Sequence, residues 1–193
     1  MLQRVKLEAV TRDDINRLSE WLEDDDINRI WYGRDESNLP NHVGYVPTNI
    51  INADDNLWKQ TFSDARRKIF SIYVDGSQHI GEGHILLEPL PRNARIFVLV
   101  GRKDLWYQGF GTAAMVQLLD EVFYTYNYHR AWVDVPEYNK PALHMCDNIG
   151  FVTEGHLKGR HQMNGAWYDT LIMGLLVDEY TRRRARFVAE FLK

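Results

Sequence analysis

Two groups of residues in this chain are placed to do chemistry. The first is a cluster with very little side chain, "QGFGTAA", Gln108–Ala114. A strand-like apolar run ends before it and a helix-like run begins inside it. Glycine and alanine at such a junction let a ligand come close to the backbone. The first amides of a helix have no intrahelical partner, and the helix dipole adds partial positive charge. The place therefore suits an anion, and a pyrophosphate in particular. The second group is acidic. Glu23–Gln60 carries eight acids against Arg29, Arg34 and Lys59, with Trp31, Tyr32, Tyr45 and Trp58 among them. In a cleft, acids concentrate cationic amines and aromatic faces hold them. Away from a cleft they solvate a loop.

The glycine cluster is not a mononucleotide P-loop, because no Lys-Ser or Lys-Thr follows it. Gly109, Gly111 and Ala114 fit G-x-G-x-x-A, and Asp134 stands near the end of the next strand, where a ribose-binding acid is found in dinucleotide sites. The context differs, however. "RKDLWYQ" separates Gly101 from Gly109, and about four strands come earlier, whereas a dinucleotide turn follows its strand at once.

The elements that must position these groups can be read from periodicity. "RVKLEAV" (Arg4–Val10) alternates as a strand, and Thr11 with Asp14 forms a capping box for a helix whose buried stripe is Ile15, Leu18 and Leu22. Glu23–Trp58 is irregular, an insertion of the length that often carries function. Ile69–Val74, His79–Leu90 and Arg95–Val100 read as three strands, the last apolar enough to be central. Met115, Leu118, Leu119, Val122, Phe123 and Tyr126 recur at helical spacing, so Gly109–Tyr126 reads as a helix. Arg130–Val135 is a strand. Asn139–Phe151 is a short helix with the stripe Ala142, Met145, Cys146 and Ile149 and with Gly150 as its stop. "MNG" turns a hairpin, and a helix closes the chain. The pattern is a mixed sheet with helices on its faces.

Composition bounds the reading. The chain has 193 residues, 45% apolar and 26% charged, with a net charge of −4. These values fit one domain with a sizeable core and argue against a general nucleic-acid surface. A single cysteine, Cys146, forms no internal disulfide. No signal sequence or apolar run of about 18 residues is present, so the expectation is a cytoplasmic protein without a membrane partner. The seven histidines show no metal-ligand spacing, and no metal is expected. His156 and His161 fall in the hairpin, as surface or cleft residues. "TRRRAR" (Thr181–Arg186) reads as a solvated helix face, or as a contact with RNA, the ribosome or a partner subunit.

With these residues in place, the sequence resembles the GNAT acyltransferase superfamily. That family's pyrophosphate loop, roughly R/Q-x-x-G-x-G/A, aligns with "WYQGFG", Trp106–Gly111, with Trp106 in place of the basic or amide residue. A tryptophan there is similar to the branch containing ribosomal-protein N-terminal acetyltransferases. "NKPALHMCDNIGF" matches the family's N-x-x-A/S-(x)7-G-F helix through Asn139, Ala142, Gly150 and Phe151. Glu154–Leu176 resembles the hairpin that closes such domains, with Lys158 in place of an arginine. The resemblance covers Ile69–Val177 with the opening strand and helix, and leaves out Glu23–Gln60.

The resemblance implies an α/β (α+β) GNAT fold with a mixed, mostly antiparallel sheet, a splayed strand pair and helices on both faces. One domain would span residues 1–193, with an acceptor-site insertion at about 23–60 and a terminal helix at about 178–193. It implies acetyl-CoA as cosubstrate, held in the splay between Arg95–Gly101 and Arg130–Val135. Backbone groups near Leu99, Val100 and Gly101 would pair with the pantetheine. Amides of Gln108, Gly109, Phe110, Gly111, Thr112 and Ala113 would hold the pyrophosphate, with Asn139 nearby. An amine would attack the thioester directly, which requires a base and donors for the oxyanion. Glu82 and Glu88 are the acidic candidates for the base, against the plainer reading of each as a solvated or ion-paired strand residue. The family's general-acid tyrosine position is Cys146, which can protonate a leaving thiolate or simply pack in the core. The acceptor would be a small-molecule amine or a protein N-terminus: a polyamine, an aminoglycoside and an amino-acid derivative are all open. A homodimer is open as well. The rival is a non-catalytic coenzyme A-binding sensor or structural module.

Overall fold

In the computed structural model, residues 4–163 and 165–191 are described. The strands are β1 (Val5–Glu8), β2 (Arg67–Val74), β3 (Gln78–Glu88), β4 (Asn93–Val100), β5 (Arg130–Pro136), β6 (Val152–Met163) and β7 (Ala166–Leu176). They form one sheet in the order β1-β2-β3-β4-β5-β7-β6. Every neighbouring pair is antiparallel except β4 and β5, which run parallel. The fold is the α/β arrangement expected from the sequence. The parallel pair is short. Asn93–Arg95 pair with Arg130–Trp132, and beyond that the strands part, although β4 continues to Val100 and β5 to Pro136.

Strand alternation gives the sheet two different faces. Along β4, Ala94 and Ile96 enter a core with Met115, Leu118 and Leu119, on the helix α5 (Phe110–Asp120). Phe97 and Leu99 turn the other way, into a second core with Ile15, Leu18 and Leu22 of α1 (Arg12–Leu22). The helical run after the glycines is α-helical only to Asp120. It then widens into a π turn at Glu121–Thr125, where two large residues, Val122 and Phe123, are both buried. Helix α6 (Lys140–Ile149) ends at Gly150, whose φ of +115° is the left-handed stop that glycine adopts without a Cβ penalty.

Helix α1 begins as expected. The Thr11 hydroxyl accepts from the Asp14 amide at 3.2 Å, and the Asp14 carboxylate accepts from the Thr11 amide at 2.9 Å. Asp14 goes further than a cap. Buried at 1% exposure, it also accepts from Ser71 at 2.8 Å, Tyr73 at 2.5 Å and Arg17 at 2.6 Å, so it fastens α1 to β2.

The insertion is more ordered than its sequence suggests. It folds as α2 (Asp25–Ile30), α3 (Pro47–Ile51) and α4 (Asp55–Phe62), each too short to show periodicity. Their starts are nevertheless marked in the sequence: Asp24 caps α2, Asp54 caps α4, and Pro47 opens α3. Arg12 of α1 donates to the carbonyls of Ile51 at 2.9 Å and Ala53 at 2.7 Å, tying the insertion to the first helix.

The terminal helix α7 (Val177–Phe191) docks through Tyr180, whose hydroxyl donates to Asp120 at 2.7 Å, and through Arg184, which grips the same carboxylate at 2.6 and 2.7 Å. Part of the basic run therefore does structural work, while Arg182 and Arg183 stay exposed. The side chain of Arg186, the hairpin residue Asn164, and Leu192 and Lys193 lie outside the described residues. Among the described residues, no helix is long and apolar enough to cross a membrane.

Candidate active site

Where β4 and β5 part, a groove of about 640 Å³ opens toward the start of α5. Leu99 and Val100 line one side, Asn139, Ala142 and Met145 another, and Ile30 and Trp31 of the insertion a third. Gly109 caps α5 in the left-handed region, with φ +88°, and no side chain caps the helix. The first intrahelical bond is from Ala113 to Gly109, at 2.9 Å. The amides of Phe110, Gly111 and Thr112 precede it and carry the positive end of the helix. A Cβ on Gly111 would meet Met145 Sδ at 3.6 Å, an ordinary contact, so the fold itself tolerates alanine there and the missing side chain keeps the groove open.

Of the residues expected at a cofactor, Leu99, Val100, Gly109, Gly111, Thr112 and Asn139 line this groove. Phe110 and Ala113 face inward, packing with Ile72 and Ile80, so only their backbones are on offer. Gln108 is exposed and donates its amide to the Asp104 carbonyl at 2.6 Å. Gly101 is buried against Trp21, and its amide is taken by the Ile80 carbonyl at 2.9 Å. The Val100 carbonyl is also occupied: it accepts from the indole of Trp106 at 2.8 Å. Trp106 thus holds the loop to the end of β4, a use of this position that the loop pattern alone does not reveal. Asn139 caps α6 through Ala142 at 3.2 Å and donates to the Ile30 carbonyl at 3.1 Å, which joins α6 to the insertion.

A second concavity, an open basin of about 1250 Å³, lies on the other side of the α2 segment. Glu23, Asp25, Asp26, Asp35 and Glu36 line it with Arg29, Arg34 and Arg160, and Tyr32, His42, His161 and Trp167 add rings. His161 faces this basin, whereas His156 does not line it. Asp24 and Asp26 are held by Lys103 at 2.7 and 3.1 Å. The Lys103 ammonium and the amides at the start of α2 keep the Asp24 carboxyl below its ordinary value. Asp24 is therefore a cap and an ion-pair partner more than a basin acid.

The three residues expected to move protons lie apart from one another. None of them lines the groove or the basin. Cys146 is 1% exposed in the core with Ile149 and Phe151, and burial pushes its thiol up to about 12. Glu88 closes β3 opposite Asn93, half-buried. Glu82 is buried on the α1 face of β3, opposite Leu99. One of its oxygens accepts from the Tyr45 hydroxyl. The other lies 2.5 Å from His84 Nε2 and 3.0 Å from His42 Nε2. Burial alone would raise its carboxyl, but the two imidazoles outweigh this and hold it well below the carboxylate range. A carboxylate so held is a weak proton acceptor.

Residues 4–152 match the family model described as "Acetyltransferase (GNAT) domain". The chain belongs to the GNAT acetyltransferase domain family. Two curated N-acetyltransferases are similar to parts of the chain. The chain is 33% identical over 76 residues to a spermidine N(1)-acetyltransferase of Vibrio cholerae, which covers 39% of this chain and 44% of that protein. It is 29% identical over 113 residues to the uncharacterized N-acetyltransferase p20 of Bacillus licheniformis, covering 58% and 63%. The chain thus spans less than two thirds of either relative's length. Among solved structures, the spermidine N-acetyltransferase of Vibrio cholerae in complex with CoA and spermine superposes with a TM-score of 0.75 at 21% identity, covering 92% of this chain and 98% of that one. At that identity the likeness concerns the fold. These relatives are polyamine acetyltransferases or uncharacterized, and the matches do not single out the ribosomal-protein branch.

The grouping of His42, Tyr45, Glu82 and His84 on this GNAT scaffold escaped the sequence reading. Part of it was visible. Glu82-Gly-His84 alternates along a strand, so both side chains share one face. His42 and Tyr45 reach that face from about 40 residues away, through a loop with no periodic signal.

Proposed function

We propose that this protein is an acetyl-CoA-dependent N-acetyltransferase whose acceptor is a cationic, polyamine-like primary amine. The observation that carries the reading is the parting of β4 and β5 onto the uncapped start of α5. Such a splay gives a pantetheine arm a strand edge to run along, and free amides with a helix dipole give a pyrophosphate its partners. In this reading Gly109, Gly111 and Thr112 take the phosphates, while Leu99 and Val100 line the arm. The acceptor approaches from the acidic basin, where Glu23, Asp25, Asp35 and Glu36 draw ammonium groups and the rings of Tyr32 and Trp167 give them faces. The polyamine class is supported by this charge and by the names of the relatives. The amine attacks the thioester carbonyl in a ternary complex, and the thiolate of coenzyme A leaves. Glu82 and Cys146 are too enclosed to be given the proton transfers, so we assign the amine proton to water in the open basin.

The test is thiol release from acetyl-CoA with a panel of amines. Spermidine and spermine are expected to turn over best, ahead of aminoglycosides, neutral amines and peptides. The panel includes a basic ribosomal-type N-terminus, which the Trp106 loop pattern favours. Tight coenzyme A binding with no thiol release from any amine would support the non-catalytic module instead.

A further inference from the structure

We propose that His42, Glu82 and His84 form a binding site for one zinc-class divalent ion, which pins the insertion to strand β3. The proposal concerns how the insertion is held and stands whether or not the protein transfers acetyl groups.

The donor set comes first. Two imidazoles and one carboxylate are the ligands of many three-ligand zinc sites, and the same set serves iron and cobalt. Here one atom from each residue lies within 4.8 Å of the other two. An ion with ligands at about 2.1 Å in tetrahedral array needs them about 3.4 Å apart. The His42–Glu82 spacing of 3.0 Å and the His84–Glu82 spacing of 2.5 Å therefore need to open only modestly to admit one.

The surrounding hydrogen bonds suit an ion better than they suit one another. His42 Nδ1 lies 3.3 Å from the Tyr45 carbonyl, and a carbonyl only accepts, so Nδ1 carries the hydrogen. With Nδ1 held by a backbone carbonyl, Nε2 is the ring nitrogen turned to Glu82, the arrangement seen in metal-bound histidines. The His42 side chain is 1% exposed, and its Nε2 makes no hydrogen bond. It lies 3.0 Å from a Glu82 oxygen. A buried carboxylate enclosed by two imidazoles calls for positive charge, which a proton on a ring or a divalent ion supplies, and one ion serves all three groups at once. His84 is fully buried and its Nδ1 has no partner. When His84 ligates through Nε2, its hydrogen can move to that free Nδ1. Tyr45 donates to the second oxygen of Glu82 and orients it, as hydrogen-bond donors do for ligating carboxylates. The two sides of the site come from different parts of the chain. Glu82 and His84 sit on the sheet, and His42 sits in the loop between α2 and α3. An ion here closes a link across about 40 residues.

The test uses the full-length protein, stripped with a chelator and titrated with Co²⁺. Visible d–d absorption reports entry of the ion into a site of low coordination number, and Zn²⁺ then competes. We expect one equivalent to bind with a Kd of about 10 µM or tighter, the bands to vanish with Zn²⁺, and proteolysis around His42 to slow when the ion is bound. His42→Ala and Glu82→Gln should each weaken binding at least ~100-fold. Circular dichroism checks both variants. His42 lies in a loop outside the sheet, so His42→Ala decides the matter should Glu82→Gln fail to fold. No saturable spectrum up to about 1 mM Co²⁺, or unchanged affinity in the folded variants, overturns the site.

Discussion

The groove and the basin face each other across one short segment and are built on opposite principles. The groove is made of backbone and mostly apolar side chains: the end of β4, the uncapped start of α5, Ala142 and Met145 of α6, and Ile30 and Trp31 of the insertion. The basin is made of charged and aromatic side chains carried by the insertion and by the hairpin of β6 and β7. Backbone amides at a helix start serve any phosphate and depend little on which side chains surround them. Charges on short helices and loops set a preference and can be changed without disturbing the sheet. The difference suggests a fixed handle for a cofactor beside an adjustable reader for an acceptor.

The comparison is broken most completely through the support the two concavities share. Asp14 holds α1 to β2, and α1 carries the insertion through Arg12. Asp14→Ala leaves Ser71 and Tyr73 without their acceptor and should cost about 3 kcal/mol, read by denaturant unfolding, with coenzyme A binding and turnover lost together as the protein unfolds. Burial alone would raise the Asp14 carboxyl, but hydrogen bonds from Tyr73, Ser71 and Thr11 bring it down from 3.8 to about 2. Its folded-state value lies below the unfolded one, so its contribution is whole above about pH 4 and drains away as pH falls toward 2. The thermal midpoint should fall in that window, and the gap to Asp14→Asn should narrow there.

A substitution on one side alone sharpens the contrast. Gly111→Val fills the groove and should weaken coenzyme A binding at least ~10-fold, about 1.4 kcal/mol, by calorimetry. Gly111→Ala, with its ordinary 3.6 Å contact, should do much less. Unchanged affinity in Gly111→Val would remove the loop from the cofactor site. On the other side, converting Glu23, Asp25 and Asp35 to amides should lower kcat/KM for spermidine about 5-fold at low salt. The gap should close as salt rises, because exposed charges are screened. Acetyl-CoA affinity should stay put, and an unaltered kcat/KM would strip the basin of its steering role. The smallest effect is expected behind both walls: Cys146→Ala should cost about 1 kcal/mol of stability and leave turnover within about twofold. A 100-fold loss of turnover would return Cys146 to the chemistry.

The legible parts are those written in contiguous sequence. The Thr11–Asp14 capping box, the stripe of Ile15, Leu18 and Leu22, the glycine cluster before α5, and Asn139 with Gly150 at the two ends of α6 all appear where their spacing places them. Local hydrogen bonds and the 3.6-residue period suffice for these. The insertion was illegible because helices of five to eight residues show less than three turns of pattern, and their caps are single aspartates among many. Two further features required the third dimension. Trp106 spends its indole on Val100, and Glu82 is enclosed by residues from a distant loop. Cys146 had two readings in the sequence, and only burial separates them.

The wall between the two concavities has a thermodynamic consequence. Ile30 and Trp31 face the groove, while Asn28, Arg29 and Tyr32 face the basin, and Asn139 grips the Ile30 carbonyl from the α6 side. Both surfaces of the wall belong to the same few residues. A molecule that shifts the wall from one side alters the binding surface on the other. Linkage makes such an influence reciprocal: the factor by which one occupant changes the affinity of the second equals the factor in the opposite direction. Two dissociation constants measured singly would then differ from those measured with both partners present, and their ratio would be a direct reading of how stiff five residues are.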